Sequence, residues 1–272
     1  MYCKELDKHF DSKKAMFAEL KANKDLLIKA RKAEIKCKSN AFVIDPKENA
    51  TIKALPDMED GFIYAVISNT NYMDSHNDVH LNGSMSKTAS EQYGKVYYVA
   101  DHELKVNSII ATPKNIDMQL KTVDWKAMGY DYEGKTEALI FKVAKDKIMM
   151  DKALKLVDSK ELLENSIRMQ YVKIDLAIND PEEENEYKTW SEVYPKLANK
   201  EKADEYGYFW AVRELKIINE GSMVLFGSNS ATPIESKEAV NDDTSKIEPS
   251  EDTQTDWAKI IDNSLSKIKS NV

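Results

Sequence analysis

Between residues 41 and 234 the chain breaks into short β-branched and aromatic runs separated by turn residues: FIYAVIS, KVYYVAD, SIIAT, ALIFKV, SIRMQYVKIDLAI and SMVLFG. Runs of this length and composition predict strands. Ahead of them, residues 12–38 carry Phe17, Leu20, Leu27, Ile28 and Ile35 among many lysines at near-helical spacing, which predicts one amphipathic helix. Two stretches within the strand-rich region read as helical. One is DKIMMDKALKLVDSKELL, before Ser166, and the other is TWSEVYPKLANKEKADEYG, after Pro181, which reads as a surface insertion. Beyond Pro233 the sequence turns polar and acidic, with few apolar side chains to offset the entropy of ordering. It closes with Trp257, Ile260, Ile261, Leu265 and Ile268 in a stripe at helical spacing. The pattern divides the chain into an N-terminal helical extension (1–40), a β-rich domain (41–236), a disordered acidic linker (237–256) and a C-terminal amphipathic helix (257–272).

Composition narrows the function classes. The chain has 272 residues, 42% of them hydrophobic, enough to fill a sizeable core. A formal charge of −8 argues against a general nucleic-acid binder, because neutralising phosphates needs a basic surface. Cys3 and Cys37 are the only cysteines and have no CxxC spacing, which speaks against a disulfide framework or a structural zinc site and for a reducing, cytoplasmic setting. No apolar run approaches the roughly 18 residues of a membrane span.

Three places could carry chemistry. In DSHNDVHLNG, Asp74, His76, Asp78 and His80 alternate, so an extended segment puts all four on one face as candidate metal ligands. Neighbouring side chains on one strand rarely converge on an ion unaided, and no HExxH motif or second His/Cys cluster is there to help. His102 ends the run KVYYVAD, where alternation sets Val96, Tyr98, Ala100 and His102 on one face. Ser166 opens a long strand pattern directly after a helical one, a junction where unpaired backbone amides could serve a nucleophile. Each signal alone also has a structural reading: a backbone-bonded histidine, a strand-edge serine, a capped turn.

Taken in order, these residues resemble the tailed-phage prohead maturation serine proteases, relatives of the herpesvirus assembly proteases. The resemblance covers about residues 60 to 236. It rests on the loop Asp74, Asp78, Val79 and Gly83, on VYYVADHE, on Ser166-Ile167-Arg168-Met169, and on Glu220-Gly221-Ser222-Met223-Val224 followed by SNSATPI. It implies an α+β fold, with a β-barrel-like core of mostly antiparallel strands and flanking helices, as in the herpesvirus proteases. It implies a serine endopeptidase with Ser166 as nucleophile, His102 as base and a third group that is Glu220, or else Glu214, His76 or His80. Asp74 and Asp78 become turn carboxylates that cap backbone amides.

The implied substrates are the major capsid protein and the scaffold protein, with self-cleavage, inside immature phage proheads in the host cytoplasm. No cofactor is implied, nor any nucleic-acid or membrane partner; the herpesvirus relatives add self-association to the expectations. Arg168 departs from the family, which has Gly at that position, and could hold a carboxylate or the oxyanion or stand in solvent. Two other readings stay open: a protease-fold virion or scaffold protein without activity, and a metal-dependent hydrolase using Asp74, His76, Asp78 and His80.

Overall fold

The structure, a computed structural model, describes residues 1–44, 58–128, 130–159 and 163–225. All of them belong to one unit, Met1–Ile234; the second unit, Glu235–Val272, lies outside the described residues, and with it the expected acidic linker and terminal helix.

A small hairpin, β1 (Tyr2–Cys3) with β2 (Lys8–His9), precedes two helices, α1 (Lys13–Ala22) and α2 (Lys24–Ala33). The single helix expected over 12–38 is thus divided. Ser12 caps α1, its Oγ accepting the Ala15 amide, and Asn23 ends it by sending its own amide and side chain back to the Glu19 carbonyl. No Gly or Pro marks the break, so the apolar spacing reads straight through it. Met16, Phe17 and Leu20 form the buried face of α1. The chain then enters β3 (Ile35–Ile44), so the expected boundary at residue 40 falls inside a strand.

The remaining strands are β4 (Phe62–Asn69), β5 (Asp78–His80), β6 (Tyr97–Ala100), β7 (Ile109–Ala111), β8 (Asp117–Asp124), β9 (Lys135–Ala144), β10 (Glu164–Ile178) and β11 (Tyr208–Val224). Between them lie α3 (Ser86–Gln92), α4 (Asp151–Asp158), α5 (Glu184–Val193) and α6 (Lys200–Tyr206). The main sheet runs β7-β6-β11-β10-β3-β4-β9-β8, with β5 alongside β11. Pairing is antiparallel except where β5 and β6 lie parallel to β11. The fold is α+β as expected. The sheet curls into a half-barrel, and among the described residues its end strands β7 and β8 do not pair with each other.

Curling buries both faces. Along β4, Ile63, Ala65 and Ile67 enter the main core, while Tyr64 and Val66 pack with Val123, Trp125, Met128 and Ile140 on the other side. This is why FIYAVIS is apolar throughout instead of alternating. The main core closes where β11 meets β4 and β9. A Cβ on Gly221 would stand 2.7 Å from Phe141 Cε2 and 2.8 Å from Ile67 Cγ2, so only glycine permits this approach.

The stretch expected as a surface insertion is built in more deeply. Trp190, Val193, Leu197 and Ala203 of the α5–α6 region form a third cluster with Met73, Val79, Phe209 and Ala211. The N-terminal helices are anchored too. Arg31 on α2 bonds Asp78 and, at 3.0 Å, Glu5, while its guanidinium lies 4.7 Å from the Trp210 ring centroid. No helix among the described residues is long and apolar enough to cross a membrane.

Gly221→Ala should fold but lose about 1–3 kcal/mol, the usual range for an overpacked core. A urea titration should show a lower midpoint with unchanged slope; an unchanged midpoint would mean that the two halves of the sheet do not meet as described.

Candidate active site

The site forms where β6, β10 and β11 lie side by side. Ser166 is the third residue of β10, buried, and paired across the sheet with Ser222 on β11 and Ser39 on β3. It is therefore flanked by strands on both sides, inside the sheet, rather than standing at the helix-to-strand junction expected to offer free amides. The helix before it, α4, ends at Asp158, and the strand pattern begins two residues earlier than Ser166.

His102 lies just past β6, in a turn from Ala100 to Glu103 closed by the Glu103 amide on the Ala100 carbonyl at 3.0 Å. Asp101 and His102 both have left-handed backbones, φ 53° and 57°. The alternation expected to run through His102 stops at Ala100. Left-handed conformations in non-glycine residues cost energy and persist only where the surroundings enforce them. Here Ser222 does so: its hydroxyl accepts the His102 amide at 2.8 Å and donates to the Val99 carbonyl at 3.1 Å. The Asp101 amide adds a bond to the Met223 carbonyl at 2.9 Å.

Glu220 is delivered by an irregularity in β11. Ile167 pairs with Gly221 but Met169 pairs with Ile217, so three residues of β11 answer one of β10, and Asn219 within the bulge is left-handed at φ 68°. Bulges re-aim side chains in this way next to functional sites. Glu220 is fully buried, and its Oε1 lies 2.8 Å from His102 Nδ1. His102 Nε2 in turn lies 2.5 Å from Ser166 Oγ. A continuous contact thus runs from carboxylate through imidazole to hydroxyl. In the neutral tautomer that suits this chain, Nδ1–H donates to Glu220, leaving the Nε2 lone pair to accept the Ser166 proton.

Two further residues lie beside this arrangement in the sheet. Cys37, on β3, brings its thiol within hydrogen-bonding reach of His102. Arg168 follows Ser166 by two residues, is half-buried, and pairs with Cys37 across the β10–β3 ladder. Its Nε has no partner among the described residues. Burial lowers the His102 pKa, but the contacts with Cys37 and Glu220 outweigh it and hold the imidazole up at about 9.

The other candidates lie elsewhere. Glu214 pairs with Lys87 at 3.1 Å and Lys173 at 3.2 Å. Asp74 caps its turn as expected, Oδ1 accepting the amides of His76 and Asp78 at 2.8 Å each. Asp78 does not cap: it is buried among Arg31, Lys36 at 3.2 Å and the Tyr171 hydroxyl at 2.7 Å. His76 is half-buried, 3.4 Å from Ser75 Oγ, and burial lowers its pKa. His80 is fully buried, with Nδ1 3.3 Å from Ser68 Oγ and its ring edge-on to Tyr171. The four alternating residues thus have four different sets of contacts. Neither Ser222 nor Cys37 stands out in the sequence as a site residue. Ser222 has a weak signal as the polar residue within SMV, and Cys37 has none, because its proximity depends on pairing between distant strands.

No protein family and no curated protein matches the sequence. Among solved structures, the chain is similar to the bacteriophage T4 capsid assembly protease, gp21, with 11% identity and a TM-score of 0.38 over 71% of this chain and 98% of that one.

Any reaction that uses His102 as base should be limited by its protonation. Because the imidazole is held up at about 9, kcat/KM should rise about tenfold per pH unit from neutrality and level off near pH 9. Cys37→Ser removes one of the raising contacts and should move this midpoint to lower pH. The stability linkage has the matching sign: the raised pKa stabilises the fold fully below about 6.5 and the benefit is lost as pH rises through 9. A flat profile from pH 6 to 9 would show that His102 is not the base.

Proposed function

We propose that the protein is a serine endopeptidase that processes capsid and scaffold proteins, and itself, during phage head maturation. The observation that carries the reading is the unbroken contact from Glu220 through His102 to Ser166. A serine hydroxyl is a poor nucleophile at neutral pH and needs an adjacent base. Ser166 Oγ attacks the peptide carbonyl carbon as its proton passes to His102 Nε2, and the buried carboxylate of Glu220 stabilises the imidazolium that forms. The tetrahedral intermediate collapses when His102 gives that proton to the leaving amine. Water, deprotonated by His102, then releases the acyl group from Ser166.

With Ser166 inside the sheet rather than at a helix-to-strand junction, Arg168 is the donor we assign to the oxyanion. It shares the strand face of Ser166 by alternation, and its Nε has no partner among the described residues. The nature of the substrates rests on the order of the sequence motifs, which resemble those of prohead proteases. The reading as a metal-dependent hydrolase at residues 74–80 has no comparable support, since Asp78 is held by Arg31, Lys36 and Tyr171. An inactive protease-fold protein would have no use for the left-handed turn that brings His102 to Ser166.

The test is incubation of the full chain with the capsid and scaffold proteins of the same phage, followed by intact mass. Ser166→Ala and His102→Ala should each lower processing by roughly 10³-fold or more, and the double variant should be little worse than either alone, because the two act as a unit. Undiminished processing by Ser166→Ala would overturn the assignment.

A further inference from the structure

The catalytic contact accounts for His102, but not for two features beside it. One is Cys37. The other is Glu220 Oε2, an oxygen of a fully buried carboxylate with no hydrogen-bond partner among the described residues. A buried carboxylate oxygen without a partner is costly, and such an atom in a folded protein calls for an explanation. Cys37 Sγ, a His102 ring nitrogen and a Glu220 carboxylate oxygen all lie within 4.8 Å of one another, and no other group of His, Cys, Asp and Glu among the described residues gathers in this way.

We propose that Cys37, His102 and Glu220 form a zinc-binding site whose occupation switches off the Ser166 hydroxyl. The donor set is one sulfur, one nitrogen and one oxygen. A thiolate and an imidazole select zinc over magnesium or calcium, which prefer oxygen ligands throughout. Zinc bonds of about 2.0–2.3 Å put neighbouring ligand atoms about 3.3–3.8 Å apart in a tetrahedron, so the cluster must contract only modestly. Thiolate and carboxylate together neutralise the ion, and binding releases the Cys37 and His102 protons to solvent. The three ligands come from β3, the turn after β6 and the bulge of β11, and the Ser222 clamp fixes the histidine among them. A fourth position remains for water or for Ser166 Oγ.

Inhibition follows from either mode of histidine ligation. Zinc on Nδ1 displaces the bond to Glu220 and obliges Nε2 to carry the ring proton, so it can no longer take one from Ser166. Zinc on Nε2 occupies the lone pair that Ser166 needs. Metal would thus hold the enzyme latent, and its removal would release it. The inhibitory half of this inference rests on the hydrolase reading above, whereas the metal site does not.

The test uses the full chain, stripped with a chelator and titrated with cobalt(II) and then zinc. The expected result is one ion per chain with a thiolate-to-cobalt charge-transfer band. Cys37→Ser should lose the band, and Cys37→Ser and Glu220→Gln should each weaken zinc binding roughly tenfold or more. Ser166→Ala should keep the band and the stoichiometry. Zinc should suppress hydrolysis by the wild type, while Cys37→Ser, at whatever basal rate it shows, should need at least roughly ten times more zinc for the same suppression. Absence of bound metal in the wild type, or a band that survives in Cys37→Ser and so belongs to Cys3, would overturn the site. Binding as expected without hydrolysis under any metal-free condition would instead leave the site standing and sink the hydrolase reading.

Discussion

The register of β10 against β11 governs the rest of the site. With Ser166 opposite Ser222, one pairing puts the Ser166 hydroxyl beside the hydroxyl that clamps the His102 amide. Two residues before Ser222, the bulge turns Glu220 toward the same imidazole. A slip of one residue would send Ser166 to the opposite face of the sheet and separate all three groups. Gly221 resists such a slip from the core side, because β11 approaches Phe141 and Ile67 closely only where no Cβ intervenes. The His102 turn depends on the same pairing. Its two left-handed residues are each disfavoured by about 1–3 kcal/mol, and they persist because Ser222 and Met223 hold their amides.

The N-terminal helices bear on this register through β3. Arg31 and Lys36 converge on Asp78 in β5, with Tyr171 of β10 adding its hydroxyl to the same carboxylate. A buried carboxylate stripped of its partners is strongly destabilising, so this cluster fixes α2, β3, β5 and β10 relative to one another. It also decides where Cys37 lies, one residue beyond Lys36, against the imidazole. Segments that read as an extension and a loop are in this sense part of the scaffold beneath Ser166.

Much of this was legible in the residue pattern and some was not. FIYAVIS declares β4 because β-branched and aromatic residues run together where both faces are buried, and SIRMQYVKIDLAI declares β10 because buried apolar residues largely alternate with partly exposed polar ones. By contrast DMQLKTVD, which forms β8, mixes charge and apolar residues on an outer strand and gives no clear period. The break at Asn23 escapes because helical spacing continues across it. His102 and Ser166 are visible as polar residues at the ends of apolar runs, but their backbone settings are not: a left-handed turn at Asp101–His102 looks like strand continuation when only alternation is counted. Glu220 and Glu214 are equivalent by composition. What distinguishes them is the bulge at Asn219, which buries one and leaves the other to surface lysines. Asp78 reads as a turn residue because its ion-pair partners are more than forty positions away.

The central claim is that His102 makes Ser166 nucleophilic, and reaction with a fluorophosphonate tests it without reference to any substrate. Intact mass and peptide mapping should find one adduct per chain on the peptide containing Ser166, with labelling slowed by roughly a hundredfold or more in His102→Ala. Absence of an adduct on Ser166, or equal labelling rates in wild type and His102→Ala, would contradict the account.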